Sequence, residues 1–120
     1  MAKKAKTAER RILLVEDEYF VAIEVAQALD DNGIATVGPT GSVREAFELI
    51  EDGQAIDAAI LDINLRGQTV YPLAEALEAK KVPFVFATGY GPQAIPPRFQ
   101  HVPRFEKPLD LELLVKAVAR

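Results

Sequence analysis

The chain has 120 residues, 49% of them hydrophobic and 27% charged, which suits one folded domain and argues against a disordered chain. It has no cysteine and one histidine, His101, which excludes disulfides, thiolate metal sites and histidine-rich metal centres. The net charge of −4 divides into +4 for residues 1–11 and −8 for the rest, so a nucleic-acid partner is not expected. We expect a disordered basic tail over residues 1–9. Without a signal peptide or an apolar run of about 18 residues, a cytoplasmic protein with no membrane partner is expected.

Short apolar runs alternate with helical stripes along the rest of the chain. The runs predict strands at residues 12–15, 34–37, 57–61, 83–87 and 102–105. Apolar spacing of three and four predicts helices at 18–30, 42–53, 72–81 and 109–119. Gly38-Pro39 is expected to close the second strand, and Ser42 with Glu45 to form a capping box. This alternation is typical of an α/β domain with a parallel sheet covered by helices on both faces.

Two segments lack such periodicity. Residues 64–69 are polar and contain a glycine, so a loop is expected there. Residues 90–100 contain prolines at 92, 96 and 97, which makes a regular helix between the last two strands improbable. The fourth helix is therefore predicted to be irregular or very short.

Polar side chains follow four of the five predicted strands. Glu16 and Asp17 follow the first strand, Asp62 the third, Thr88 the fourth and Lys107 the fifth. The carboxyl ends of parallel strands meet at one edge of the sheet, where ligands bind in open α/β folds. Three carboxylates gathered there repel one another, and Mg²⁺ is a suitable counter-ion because it prefers oxygen ligands. Asp62 is then a candidate nucleophile, with Lys107 and Thr88 as donors to a phosphoryl group.

Each of these signals has an ordinary structural explanation when taken alone. Acids at a helix start favour the helix dipole, and an Asp after a strand is commonly a turn residue. The combination of all four positions in order is more informative than any one of them.

This set of residues, completed by Pro108 after Lys107, resembles the response-regulator receiver family over residues 10–120. The resemblance implies a flavodoxin-like, doubly wound five-stranded sheet of order 2-1-3-4-5. It implies that Mg²⁺ is held by Glu16, Asp17, Asp62 and the backbone carbonyl of Asn64. It further implies that Asp62 takes a phosphoryl group from a phosphohistidine on a histidine kinase or phosphotransfer protein, that Thr88 and Lys107 sense it, and that the Lys107–Pro108 bond is often cis.

The run Phe86-Ala87-Thr88-Gly89 resembles a subgroup of stand-alone receivers with that motif. Because the chain ends after the last helix, we expect a switch or a phosphate sink without an output domain. By this resemblance the protein is not an enzyme in the usual sense but a phosphoacceptor with self-catalysed transfer and autodephosphorylation.

The chain also departs from the family pattern. Arg66 stands where many receivers have a proline, and Arg104 where many have a switching aromatic. Phe105 is expected to point to the opposite face of its strand. We therefore hypothesise that signalling involves ordering of residues 89–101, with Tyr90 as the mobile aromatic and as a shield of the phosphoryl group.

Three alternative functions fit the sequence less well. A degenerate receiver that only docks partners would not need the full acidic set. An aspartyl-phosphate phosphatase requires a second Asp two residues after the nucleophile, where this chain has Asn64, which cannot act as a general acid. A nucleotide or flavin module would need a glycine-rich first loop instead of Glu16-Asp17-Glu18.

Overall fold

The computed structural model describes residues 9–89, 91 and 95–119. A central sheet contains the strands β1 (Arg11–Val15), β2 (Ala35–Thr40) and β3 (Ala58–Leu61). A separate hairpin follows, formed by β4 (Asn64–Leu65) and β5 (Gln68–Thr69), and the sheet is completed by β6 (Phe84–Thr88) and β7 (Arg104–Glu106). The described residues form four α-helices, α1 (Tyr19–Asp31), α2 (Val43–Glu51), α3 (Tyr71–Ala79) and α4 (Leu111–Val118). The sheet order is β2-β1-β3-β6-β7 with all pairs parallel, which confirms the predicted flavodoxin-like fold.

Side chains of the central strands alternate between two apolar cores. On β1, Leu13 and Val15 point toward α2 and α3, whereas Ile12 and Leu14 point toward α1 and α4. All four are at most 1% exposed. A strand buried on both faces must be apolar throughout, which explains the short uninterrupted runs in the sequence.

The second strand does not end at Gly38–Pro39 as expected. It continues to Thr40, and the pairing changes from Leu13 opposite Val37 to Val15 opposite Thr40. β2 therefore carries one extra residue, a bulge, at Gly38, whose φ is +96°. The Gly38–Pro39 peptide is cis. A glycine and a proline interrupt the apolar pattern here without ending the strand.

The predicted cap of α2 is present, but the reciprocal half of the capping box is not. Ser42 Oγ accepts from the Glu45 backbone N–H at 3.2 Å. The Glu45 carboxylate instead accepts from Thr40 Oγ1 at 2.7 Å, and Thr40 Oγ1 accepts from the Ser42 N–H at 3.2 Å. The Thr40 hydroxyl thus bridges the Glu45 carboxylate and the Ser42 N–H, which a capping box would join directly. Thr40 can do so because it is the last residue of β2.

The polar segment 64–69 is a two-residue hairpin rather than an irregular loop. Arg66 and Gly67 form its turn, both with left-handed φ values of 53° and 84°. Such turns favour Asn-Gly or Asp-Gly, so Arg66-Gly67 does not carry the usual sequence signal of this turn.

Between β6 and β7 the described residues contain a 3-10 helix at Pro97–Phe99. This agrees with the prediction of an irregular or very short fourth helix, while Tyr90 and residues 92–94 lie outside the described residues. The predicted basic tail also lies outside them, except Glu9. Among the described residues, no helix combines the length and apolar character that crossing a bilayer requires.

Candidate functional site

The site begins where β1 and β3 end side by side. Val15 pairs with Leu61, so Glu16 and Asp62 emerge at the same level of the sheet, and the Asp62 N–H donates to the Val15 carbonyl at 2.9 Å. Carboxylate oxygens of Glu16, Asp17 and Asp62 lie within 4.8 Å of one another. Glu16 and Asp62 are each 5% exposed, so their charges are largely removed from water. The structure thus brings together the three acids that the sequence indicated.

An open cavity of about 590 Å³ lies over these acids, and its walls include Asp17, Asp62, Asn64, Arg66, Gly89 and Lys107. Glu16 and Thr88 are buried and do not form these walls. Thr88 is 0% exposed, and its carbonyl accepts from the Lys107 N–H at 2.9 Å. Lys107 is therefore placed at the edge of the site by an extension of the pairing between β6 and β7.

Lys107 balances the acids. Its Nζ lies 3.1 Å from Glu16 Oε2, 3.2 Å from Asp62 Oδ2 and 2.5 Å from Glu18 Oε1. Burial alone would lower the pKa of Lys107, but hydrogen bonds to Glu18 and Glu16, together with the charge of Asp62, hold that pKa above its usual range. Lys107 is accordingly a permanent cation in this cluster.

Glu16 is the carboxylate whose ionisation is most disturbed. Burial, with the nearby charge of Asp62, raises the pKa of Glu16 from 4.5 to about 7, although the Glu18 N–H and Lys107 oppose the change. The Glu18 N–H donates to Glu16 Oε2 at 3.0 Å. In the absence of a metal ion, the Glu16 carboxyl group is therefore partly protonated near neutral pH.

This pKa predicts a pH dependence of stability. Because the folded pKa lies above the unfolded value, the contribution of Glu16 is fully present below pH 4.5 and is lost as pH rises through 7. Between pH 5 and 8 the metal-free protein should lose about 2 kcal/mol of unfolding free energy relative to Glu16→Gln. Urea unfolding of both proteins in EDTA checks this, because every titratable group other than Glu16 is common to the two proteins. A constant difference across this range would contradict the assignment.

The donor set fits Mg²⁺. The acids offer only oxygen ligands, which suit a hard cation, and Asn64 lies on the wall beside them. Asp17 is held in place from two sides. Its Oδ2 accepts from the Arg66 N–H at 3.2 Å, and Gly41 packs so closely that an added Cβ would lie 3.0 Å from the Asp17 Cα. The Asn64 side chain fixes the same hairpin by accepting from the Gly67 N–H at 3.0 Å.

Arg104 and Phe105 are not among the residues that line the cavity. Arg104 pairs with Glu106 at 3.8 Å, and Phe105 packs on the α1 and α4 side, as expected for its place in the strand. Tyr90 lies outside the described residues. The Lys107–Pro108 peptide is cis.

Sequence reading missed Glu18 and Gly41 as parts of the site. Glu18 looked like an ordinary acid at a helix start, and its sequence signal was only that it follows two other acids. Gly41 gave no signal, because the need for a glycine comes from the closeness of Asp17 in space.

Comparisons with known proteins agree with this geometry. The model of the family "Response regulator receiver domain" matches residues 12–119, so the chain belongs to the response-regulator receiver family of two-component systems. The solution structure of SdrG from Sphingomonas melonis Fr1 is 41% identical, with a TM-score of 0.81, and the match covers 98% of this chain and 97% of SdrG. The BeF3-activated conformation of SdrG from Pseudomonas melonis Fr1 is 42% identical, with a TM-score of 0.75, covering 91% of this chain and 92% of that one.

A longer relative also matches. The transcriptional regulatory protein PdtaR of Mycobacterium tuberculosis is 26% identical over 113 residues, which is 91% of this chain and 55% of PdtaR. The chain thus spans about half the length of that relative.

Proposed function

We propose that this receiver domain accepts a phosphoryl group on Asp62, from a phosphohistidine of a histidine kinase or phosphotransfer protein, in a Mg²⁺-dependent reaction. The observation that carries the proposal is the convergence of Glu16, Asp17 and Asp62 beneath an open cavity. One cation at the wall of that cavity, Lys107, pairs with Glu16 and Asp62. A structural ion pair would not require three acids at one edge of the sheet, since their mutual repulsion is unfavourable without a further cation.

In the proposed reaction an Asp62 carboxylate oxygen attacks the phosphorus of the donor. The P–N bond breaks, its electron pair stays on the imidazole nitrogen, which then takes a proton, and Asp62 becomes an acyl phosphate. Lys107 Nζ, already 3.2 Å from Asp62 Oδ2, donates to a phosphoryl oxygen, and the Thr88 hydroxyl donates to another. Glu16, Asp17, Asp62 and the backbone carbonyl of Asn64 would hold Mg²⁺, which would supply positive charge to offset that of the phosphoryl oxygens. Attack of water on phosphorus later releases inorganic phosphate and restores the carboxylate.

The start of α1 supports a protein as the donor. Tyr19, Phe20 and Ile23 are 69%, 78% and 46% exposed, directly after Glu18 at the wall of the cavity. Large apolar side chains grouped beside a reactive site are typical of a surface that a partner covers. We propose that the phosphohistidine protein covers these residues while its imidazole reaches Asp62.

Finer assignments belong to the same proposal. Phe86-Ala87-Thr88-Gly89 supports membership of the stand-alone Phe-Ala-Thr-Gly subgroup, acting as a switch or as a phosphate sink. Residues 10–120 would form the receiver domain, with autodephosphorylation as its self-catalysed reset. Tyr90 and Arg104 remain candidate modulators of the lifetime of the phosphorylated state and of its signal to a downstream partner.

The experiment is direct phosphorylation by acetyl phosphate with Mg²⁺. Wild type should gain one phosphoryl group by intact mass, stable in acid and labile in base, and EDTA should prevent the gain. Asp62→Asn keeps the shape of the side chain but removes the nucleophile, so it should gain nothing. Equal labelling of both proteins would overturn the assignment of Asp62. No labelling of wild type would favour a receiver that only docks partners.

A further inference from the structure

Glu18 occupies the N-cap position of α1 but does not cap it. Its backbone is extended, with φ of −85° and ψ of 113°, as an N-cap requires, yet its side chain accepts no hydrogen bond from the helix. Ser, Thr, Asp and Asn are preferred at this position because their short side chains reach the first-turn N–H groups. A residue that breaks a local preference in this way often serves a site instead.

The Glu18 carboxylate is used on Lys107. Its Oε1 lies 2.5 Å from Lys107 Nζ, compared with 3.1 Å for Glu16 and 3.2 Å for Asp62. An ammonium group has three N–H donors, and these three carboxylates take all of them. Phosphorylation of Asp62 frees the donor that Asp62 now accepts, which can pass to a phosphoryl oxygen. Lys107 can give the phosphoryl group a second hydrogen bond only if Glu16 or Glu18 releases its own.

The exposure of the two side chains indicates which of Glu16 and Glu18 releases its hydrogen bond to Lys107. The Glu16 side chain is 3% exposed, so losing Lys107 would leave a buried acid without its cation. The Glu18 side chain is 60% exposed and returns to water at little cost. Glu18 is thus the partner that Lys107 exchanges for the phosphoryl group.

We propose that Glu18 is a positioning residue that competes with the phosphoryl group for Lys107 and so weakens phosphoryl binding at Asp62. The inference rests on the proposed function, since it assumes that Lys107 contacts a phosphoryl group on Asp62. Two consequences follow. Glu18 holds Lys107 in place before phosphorylation, and it makes the phosphorylated state less stable.

The test is the binding of BeF3⁻, a phosphoryl mimic, followed by amide chemical shifts at saturating Mg²⁺. Glu18→Gln removes the charge and should tighten BeF3⁻ binding by about twofold to fivefold, the range for a partly exposed ion pair. Glu18→Asp keeps the charge but is one methylene shorter, so it should lose the contact and tighten binding to a similar degree. Glu24→Gln makes the same charge change at another exposed position of α1 and should leave binding unchanged.

Each contrary outcome has a distinct meaning. If Glu18→Asp binds like wild type while Glu18→Gln binds more tightly, charge alone is responsible and the positioning role is overturned. If Glu24→Gln tightens binding as much as Glu18→Gln, the effect is not local and the inference also falls. If wild type binds BeF3⁻ no better than Asp62→Asn, the proposed function itself fails, and the inference fails with it.

Discussion

Replacing Lys107 with methionine is expected to lower the unfolding free energy of the metal-free protein by about 2 kcal/mol at pH 8. The methionine keeps the apolar stem but removes the cation that Glu16 and Asp62, each 5% exposed, share at the base of the cavity. Removing one partner of a buried ion pair costs about 3–5 kcal/mol, and we expect less here because the Lys107 side chain is 17% exposed. At pH 8 Glu16 is largely ionised in wild type. Loss of Lys107 then either leaves that carboxylate without its cation or makes it take up a proton, and both outcomes lower the unfolding free energy.

Mg²⁺ should reverse much of that loss. With Lys107 absent, the acids lack a cation, so the metal binds them more tightly and stabilises the folded state by a larger amount. Urea unfolding of both proteins in EDTA and in Mg²⁺ checks this, with Lys107→Arg as the charge-conserving control. The difference between Lys107→Met and wild type should shrink in Mg²⁺. An equal difference in both buffers would contradict the view that lysine and metal balance the same acids.

The sequence pattern was sufficient for the α/β class and for the acids of the site, whereas the order of the strands came from the family resemblance. Strands buried on both faces are apolar throughout, so Asp62 after Leu61 and Glu16 after Val15 mark the strand ends without ambiguity. Once the strands are taken as parallel, their carboxyl ends share one edge, and the gathering of Glu16, Asp17 and Asp62 follows.

Features that depend on exact spacing in three dimensions were not accessible in the same way. The bulge at Gly38 shifts the register of β2 by one residue and brings Thr40 into contact with Glu45. The spacing of apolar residues in the sequence does not predict this shift. The contact of Glu18 with Lys107 spans 89 residues of sequence and depends on side-chain direction. Composition could not separate a solvated acid at a helix start from one engaged in the site.

Packing of one side chain, Phe99, holds the described part of the segment between β6 and β7 against the domain. The 3-10 helix at Pro97–Phe99 is too short to be held by its own hydrogen bonds. Phe99 is 1% exposed and stacks on Tyr71, with ring centroids 5.6 Å apart. It also meets Phe86 and Phe84 edge-on at 6.1 and 6.2 Å. The neighbouring Arg98 pairs with two α3 acids, Glu75 and Glu78, at 3.0 and 2.8 Å, but these three side chains are 34–54% exposed.

Phe99→Ala is therefore expected to cost about 3 kcal/mol of unfolding free energy, since it removes a buried ring and leaves a cavity among three aromatic rings. Arg98→Ala should cost under about 1 kcal/mol, because exposed ion pairs contribute little. Phe99→Leu, which keeps much of the volume, should lie between them. Urea unfolding measures all three. Hydrogen exchange at the Val102 N–H, which donates to the Phe99 carbonyl at 3.1 Å, should accelerate most in Phe99→Ala. A larger loss in Arg98→Ala than in Phe99→Ala would mean that the ion pairs, and not the ring, fix this segment to α3.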